Sequence, residues 1–91
     1  MSGGRPWDDT ERGRGRSVAA AFGAELRSRR EAAGLTQARL AEAAGVSVSG
    51  VSALERGQRQ PSLTVAFDLS RALSLRTDEL ARATAERLSR P

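Results

Sequence analysis

The stretch TQARLAEAAGVSVSGVSALERG, Thr36 to Gly57, decides how this chain folds. Thr36 is a residue type that caps helix starts, and Leu40, Ala41 and Ala44 then recur at three- and four-residue spacing. A short helix is therefore predicted through Gln37, Leu40, Ala41 and Ala44, closed by Gly45. Only Gly45, Val46 and Ser47 remain for a turn. Ser47 caps the next helix, predicted from Val48 to about Arg56, with Val51 and Leu54 facing inward and Gly57 as its stop.

Two short helices joined by so tight a turn, with glycine at the bend, form a helix-turn-helix unit whose second helix can project into a DNA major groove. The geometry makes specific demands. Ala41 must be small where the helices cross, Gly45 must take a left-handed conformation, and Val46, Val51 and Leu54 must fill the wedge between the helices.

Working outward, Gly34 ends a preceding helix predicted to start with Ser17 as N-cap and to carry Val18, Phe22 and Leu26 on one stripe. Downstream, Gln58 to Pro61 form a polar connection. Ser62 caps a fourth helix with Leu63, Ala66, Leu69 and Leu73 as its core stripe, and Thr77 caps a fifth. There Asp78 and Glu79 complement the helix dipole ahead of Leu80, Thr84 and Leu88. No strand-like alternation competes, so the fold class is all-α, a compact five-helix domain over residues 17–90. Residues 1–16 hold four Gly, one Pro, four Arg and three acids, with only Met1 and Trp7 as sizeable apolar residues. The segment is too polar to order itself and reads as a disordered basic N-terminal arm. Two readings stay open for it, a solvated tail or an arm lying along a phosphate backbone or in a minor groove.

At 91 residues there is room for about one small domain. All 15 basic residues are Arg, against 11 acids and a net charge of +4. The absence of Cys excludes disulfides and cysteine zinc sites, and the absence of His removes the commonest general base and metal ligand. The carboxylates Glu25, Glu31 and Glu42 read as ordinary helix-surface residues without a partner. No catalytic, metal or cofactor-binding residue is assigned, no small-molecule ligand is evident, and the chain reads as a binding protein. Arginine suits phosphate contact through its planar, permanently charged fork, while all-Arg usage also has a reading in genome composition. No stretch approaches the roughly 20 apolar residues a bilayer span needs, and the N-terminus has no apolar signal core. A cytoplasmic, nucleoid-associated protein without membrane contact is expected.

With Leu26-Arg27, Arg30, Gly34-Leu35-Thr36-Gln37, Leu40-Ala41, Gly45-Val46-Ser47, Val51-Ser52, Leu54-Glu55-Arg56-Gly57, Pro61-Ser62 and Ala72-Leu73 in register, the chain resembles the Cro and Xre-type phage repressors and related small bacterial transcription regulators. The resemblance spans roughly Phe22 to Leu80. It implies a lambda-repressor-like domain whose third helix, Val48 to Glu55, is the recognition helix, with Gln37 contacting DNA from above it. The family's internal ion pair maps onto Arg30 and Glu55, as a structural element. Three departures stand out: Ser70 where Ala is more common, Ser74 where Gly often stands, and Gly50 inside the recognition helix, where it costs about 1 kcal/mol against Ala.

The inward set of the recognition helix leaves Val48, Ser49, Ser52 and Ala53 toward base edges, with Ser47 at its start. This surface is plain. Val and Ala can pack on a thymine methyl and Ser can bond several bases, but none makes a bidentate contact, so base reading leans on Gln37, Arg39 and DNA shape. Phosphate contacts are assigned to Thr36, Gln37, Arg39, Arg56, Gln58, Arg59 and Ser62, whereas Arg71, Arg76, Arg82 and Arg87 read as solvated charges. The expected function is a sequence-specific regulator of transcription, a repressor, that binds a palindromic double-stranded operator as a homodimer. The dimerisation candidates are Thr84, Ala85 and Leu88, the alternative being a frayed C-terminus. A second function class is a protein-interaction module, or antitoxin-like protein partner, on the same scaffold.

Overall fold

The computed structural model describes residues 9–90, with side chains from residue 13 onward. Its elements are α1 (Asp9–Ala32), α2 (Gln37–Ala44), α3 (Val48–Glu55), α4 (Leu63–Ala72) and α5 (Glu79–Ser89), with no strand among the described residues. Of the first sixteen residues, 1–8 lie outside the described residues.

α1 begins at Asp9, eight residues before the Ser17 start expected from sequence. Ser17 is not a cap. Its hydroxyl donates to the Gly13 carbonyl at 3.2 Å, a bond made inside a continuing helix. The segment 9–16 offers no apolar stripe of its own, but a helix nucleated by the alanine-rich run 18–26 extends at the cost of ordering one residue per added hydrogen bond.

The three capped starts of α2, α3 and α4 share one device. The hydroxyls of Thr36, Ser47 and Ser62 accept from the amides of Arg39, Gly50 and Val65 at 3.0, 3.0 and 3.1 Å. Gly45, at φ 72°, reverses the chain in the left-handed region, and Val46 N–H closes the motif on the Ala41 carbonyl at 3.0 Å. At Gly50 a Cβ would stand 3.0 Å from the Ser47 capping oxygen, so glycine there leaves the cap its room.

α5 differs from its sequence reading. Its N-cap is Asp78, with no side-chain capping bond, and Thr77 belongs to the turn before it. The Asp78 carboxylate is held instead by Arg76 and Arg82 at 2.9 and 3.1 Å, and Glu79 accepts from the Arg76 amide at 3.1 Å.

The core joins all five helices through Phe22, Leu26, Leu40, Val51, Leu54, Leu69, Leu73 and Leu80, with Ala41 and Ala44 at the α2–α3 crossing. Leu63, expected in the core stripe, is 70% exposed because the first turn of α4 runs past the end of the core. Ser70 is fully buried yet satisfied, its hydroxyl donating to the Ala66 carbonyl at 2.9 Å. Two approaches bring α1 onto the end of α3. A Cβ on Gly23 would lie 2.9 Å from the Glu55 carbonyl oxygen and closer still to that of Leu54. The Arg30–Glu55 side-chain pair, at 2.6 Å, seals the same junction.

Ser74 ends α4 at φ 57°, the one non-glycine residue with positive φ among those described. The left-handed conformation costs an L-residue about 1–2 kcal/mol, part of which glycine returns through its freer unfolded chain. Ser74→Gly is expected to raise stability by about 0.5–1 kcal/mol and the midpoint by roughly 2–8 °C. A thermal melt followed by circular dichroism checks this.

Candidate nucleic-acid interface

The helix-turn-helix places the candidate residues on one surface made by the start of α2, the outer side of α3, the α3–α4 connection and the start of α4. Thr36, Arg39, Ser47, Ser49, Arg56, Gln58, Arg59 and Ser62 are all exposed, and Ser52 and Ala53 are half-buried. Val48 is 46% exposed, which is unusual for a valine and leaves its methyl groups at the tip of α3. Ser49 lies 3.3 Å from Ser47, oxygen to oxygen, so their hydroxyls share a hydrogen bond. Ser47, Arg59 and Ser62 line one shallow cleft of about 250 Å3 between the starts of α3 and α4. Arg56 donates to the Gln58 side-chain oxygen at 3.0 Å, so these two are braced together beyond the end of α3.

Beneath this surface sits a nearly closed polar cluster. Arg30 grips Glu55 with two bonds, Nε to Oε2 at 2.6 Å and Nη2 to Oε1 at 3.1 Å, and its Nη1 donates to the Leu35 carbonyl at 2.8 Å. The side chains are only 11% and 3% exposed. Gln37 completes the cluster, donating from Nε2 to Glu55 Oε1 at 2.9 Å. The motif assigns Gln37 to DNA contact; the structure commits one of its amide hydrogens to Glu55, which orients the side chain. Burial alone would raise the Glu55 carboxyl, but the hydrogen bonds from Arg30 and Gln37 and the Arg30 charge hold it below the ordinary 4.5.

The described arginines differ in whether a carboxylate meets them. Arg27, Arg29, Arg30, Arg71, Arg76, Arg82 and Arg87 each sit within 4 Å of a carboxylate. Arg14, Arg16, Arg39, Arg56, Arg59 and Arg90 have no such partner among the described residues; of these, Arg39 lies in the first turn of α2, Arg56 caps the end of α3 and Arg59 lines the cleft at its start. Uncompensated cations cost repulsion unless something anionic arrives, so this surface is electrostatically incomplete by itself.

A second carboxylate, Glu25, lies on the other side of α1. It accepts from Arg29 and from Arg87 of α5, both at 2.7 Å, and Arg29 also reaches Glu79 at 3.3 Å. Burial raises the Glu25 carboxyl, and the two arginines outweigh it, holding it below 4.5. Both Glu25 and Glu55 thus titrate lower when folded than when unfolded. Their stabilisation is complete above the unfolded value and disappears as pH falls through the folded ones. The melting temperature is expected to be flat from pH 7 to about 5 and to fall steeply below 4.5, and melts across that range check it.

Of the dimerisation candidates, Ala85 and Leu88 are exposed, but Thr84 is 6% exposed and belongs to the core side of α5. Its hydroxyl donates to the Leu80 carbonyl at 2.7 Å, which satisfies it there. Leu88 instead borders an apolar groove of about 500 Å3 between α1, α4 and α5, where Leu63 and Phe67 stand 70% and 44% exposed. Phe67 was not singled out from sequence, since its place on the outer face of α4 showed only with the other helices present.

No helix of the described residues is long and apolar enough to cross a membrane. The family model described as helix-turn-helix matches residues 26–80. The chain is 40% identical over 60 residues to the uncharacterized HTH-type transcriptional regulator YazB of Bacillus subtilis (strain 168), covering 66% of this chain and 87% of that protein. Among solved structures it is similar to the restriction-modification controller protein C.AhdI from Aeromonas hydrophila, with TM-score 0.67 and 42% identity, covering 68% of this chain and 94% of that one. It is likewise similar to the clp gene regulator ClgR from C. glutamicum, with TM-score 0.74 and 32% identity over 81% and 96% of the two chains. The family match spans more than half of the sequence and contains the whole α2–turn–α3 unit, and this chain belongs to the Cro/Xre-type helix-turn-helix family of DNA-binding transcriptional regulators.

Proposed function

We propose that this protein is a cytoplasmic repressor that occupies a palindromic double-stranded operator as a homodimer, each protomer laying α3 in a major groove. The observation that carries this reading is the set of uncompensated arginines, Arg39, Arg56 and Arg59, around an α3 whose outer face is otherwise uncharged. Phosphates neutralise that set, and the capped starts of α2 and α4 at Thr36 and Ser62 add amide ends of helices beside it. Bases are read by Val48 against thymine methyls and by Ser49, Ser52 and a Gln37 preoriented by Glu55, with DNA shape supplying part of the selectivity.

Two-fold pairing supplies the second half-site, centred one helical turn away, about 34–36 Å. The surface we assign to it is the apolar groove with Leu63, Phe67, Ala85 and Leu88, since an exposed cluster of this kind on a small domain marks an interface.

The test is duplex binding by fluorescence anisotropy across a salt series. Arg59→Ala and Arg39→Ala are each expected to weaken binding to every sequence and to flatten the log–log salt slope by about 0.9 per bound protomer. An unchanged slope in both removes these residues from the phosphate set. A wild-type protein without salt-dependent binding would contradict the reading altogether.

A further inference from the structure

We propose that the N-terminal extension of α1 is a second phosphate-binding element, in which Arg16 contacts the DNA backbone beside the α3–α4 connection. This rests on the reading of α3 as the DNA-facing helix.

The α3–α4 connection does not hang free. It packs along the early turns of α1, where a Cβ on Gly57 would stand 3.0 Å from Ala20 Cα. Farther along, Gln60 donates from Nε2 to the Gly15 carbonyl at 3.1 Å, and a Cβ on Gly15 would lie 3.0 Å from that same nitrogen. Residues 15–20 of α1 therefore run beside residues 57–60. The latter carry Gln58 and Arg59, and Arg56 immediately precedes them, so whatever phosphates this connection meets also pass the early turns of α1.

Arg16 stands one turn before Ala20, on the strip of α1 that faces the connection. It is exposed and has no carboxylate partner among the described residues, in contrast to Arg71, Arg76, Arg82 and Arg87. Its side chain lies back along the helix, with Nη2 3.9 Å from where a Gly13 Cβ would be. Arg14 provides the contrast. It stands one turn before Val18, which lines the apolar groove on a different side of α1. The extension thus adds its cation to Arg39, Arg56 and Arg59 from a helix, with less ordering entropy lost on contact than an unstructured arm would lose.

The experiment compares full-length wild type, Arg16→Gln, Arg14→Gln and Arg59→Ala on a labelled mixed-sequence duplex long enough for two half-sites one turn apart, between about 50 and 200 mM salt. Arg16→Gln is expected to lower the salt slope by about 0.9 per bound protomer and to weaken binding severalfold, while Arg14→Gln keeps the wild-type slope. Matching thermal melts show that the variants are folded. If Arg16→Gln keeps the wild-type slope while Arg59→Ala loses it, the extension is not a phosphate element and the function of α3 stands. If Arg14→Gln and Arg16→Gln lose slope equally, net charge accounts for the effect and the positional assignment is overturned. A wild type with no salt-dependent binding overturns the reading of α3 and this inference with it.

Discussion

Gly23→Ala is expected to be the most damaging single methyl group that can be added to this protein. The new Cβ would lie 2.9 Å from the Glu55 carbonyl oxygen and still nearer that of Leu54, both backbone atoms at the end of α3. Side chains can rotate away from an intruder, but these carbonyls are fixed by the helix, so α1 and α3 must separate. That separation loosens Phe22 and Leu26 against Leu54 and strains the Arg30–Glu55 bonds. Overpacking of this kind costs about 3 kcal/mol or more, a fall in melting temperature of roughly 12–24 °C for a domain of this size. Thermal unfolding followed by circular dichroism reads this directly. A change smaller than that of an alanine substitution at exposed Ser28 or Arg27 would show that the close approach is not a constraint.

Glu55→Gln is expected to have the second-largest effect. The amide keeps the shape of the carboxylate but leaves the Arg30 guanidinium, 11% exposed, without its counter-charge, and it faces Gln37 with a group no longer charged. Breaking a buried pair on one side costs about 3 kcal/mol or more, because the remaining charge stays desolvated. Two readouts separate stability from positioning. Denaturant unfolding gives the loss of stability. Duplex binding measured well below the variant's melting temperature shows whether Gln37 has lost its orientation, through a further drop in affinity for preferred over mixed sequence. The double variant Arg30→Met/Glu55→Met is expected to recover much of the stability and none of the Gln37 positioning.

The elements that sequence made legible are those written in local chemistry. Thr36, Ser47 and Ser62 cap because a hydroxyl reaches an amide three residues on, and Gly45 turns the chain because a Cβ resists that φ, neither of which needs a distant partner. What stayed hidden depends on neighbours remote in sequence. Gly23 reads from sequence only as a weak spot in a helix, and its value appears when α3 lies against it. The start of α1 at Asp9 follows from propagation out of a stable segment, which no cap or stripe in 9–16 announces. Thr77 and Asp78 are both good cap types, and Arg76 and Arg82 draw the Asp78 carboxylate away from the helix end in a way spacing alone does not show. Candidate contact residues can be nominated one by one from the motif, yet the bond from Gln37 to Glu55 needs the fold. Likewise, Leu63 and Thr84 exchange their expected places because helical spacing sets the direction of a stripe but not how far the partner helices extend along it.

On the proposed reading, the exposed face of α3, with Arg39, Arg56 and Arg59 around it, selects a particular duplex. Selection of bound molecules from a random double-stranded pool by purified full-length protein at near-physiological salt, followed by sequencing, tests it most directly. An inverted repeat with half-site centres about 34–36 Å apart, containing thymines where Val48 meets the groove, is expected to be enriched. A pool that emerges unenriched would contradict this reading and leave the helix-turn-helix of this chain as a surface for a protein partner.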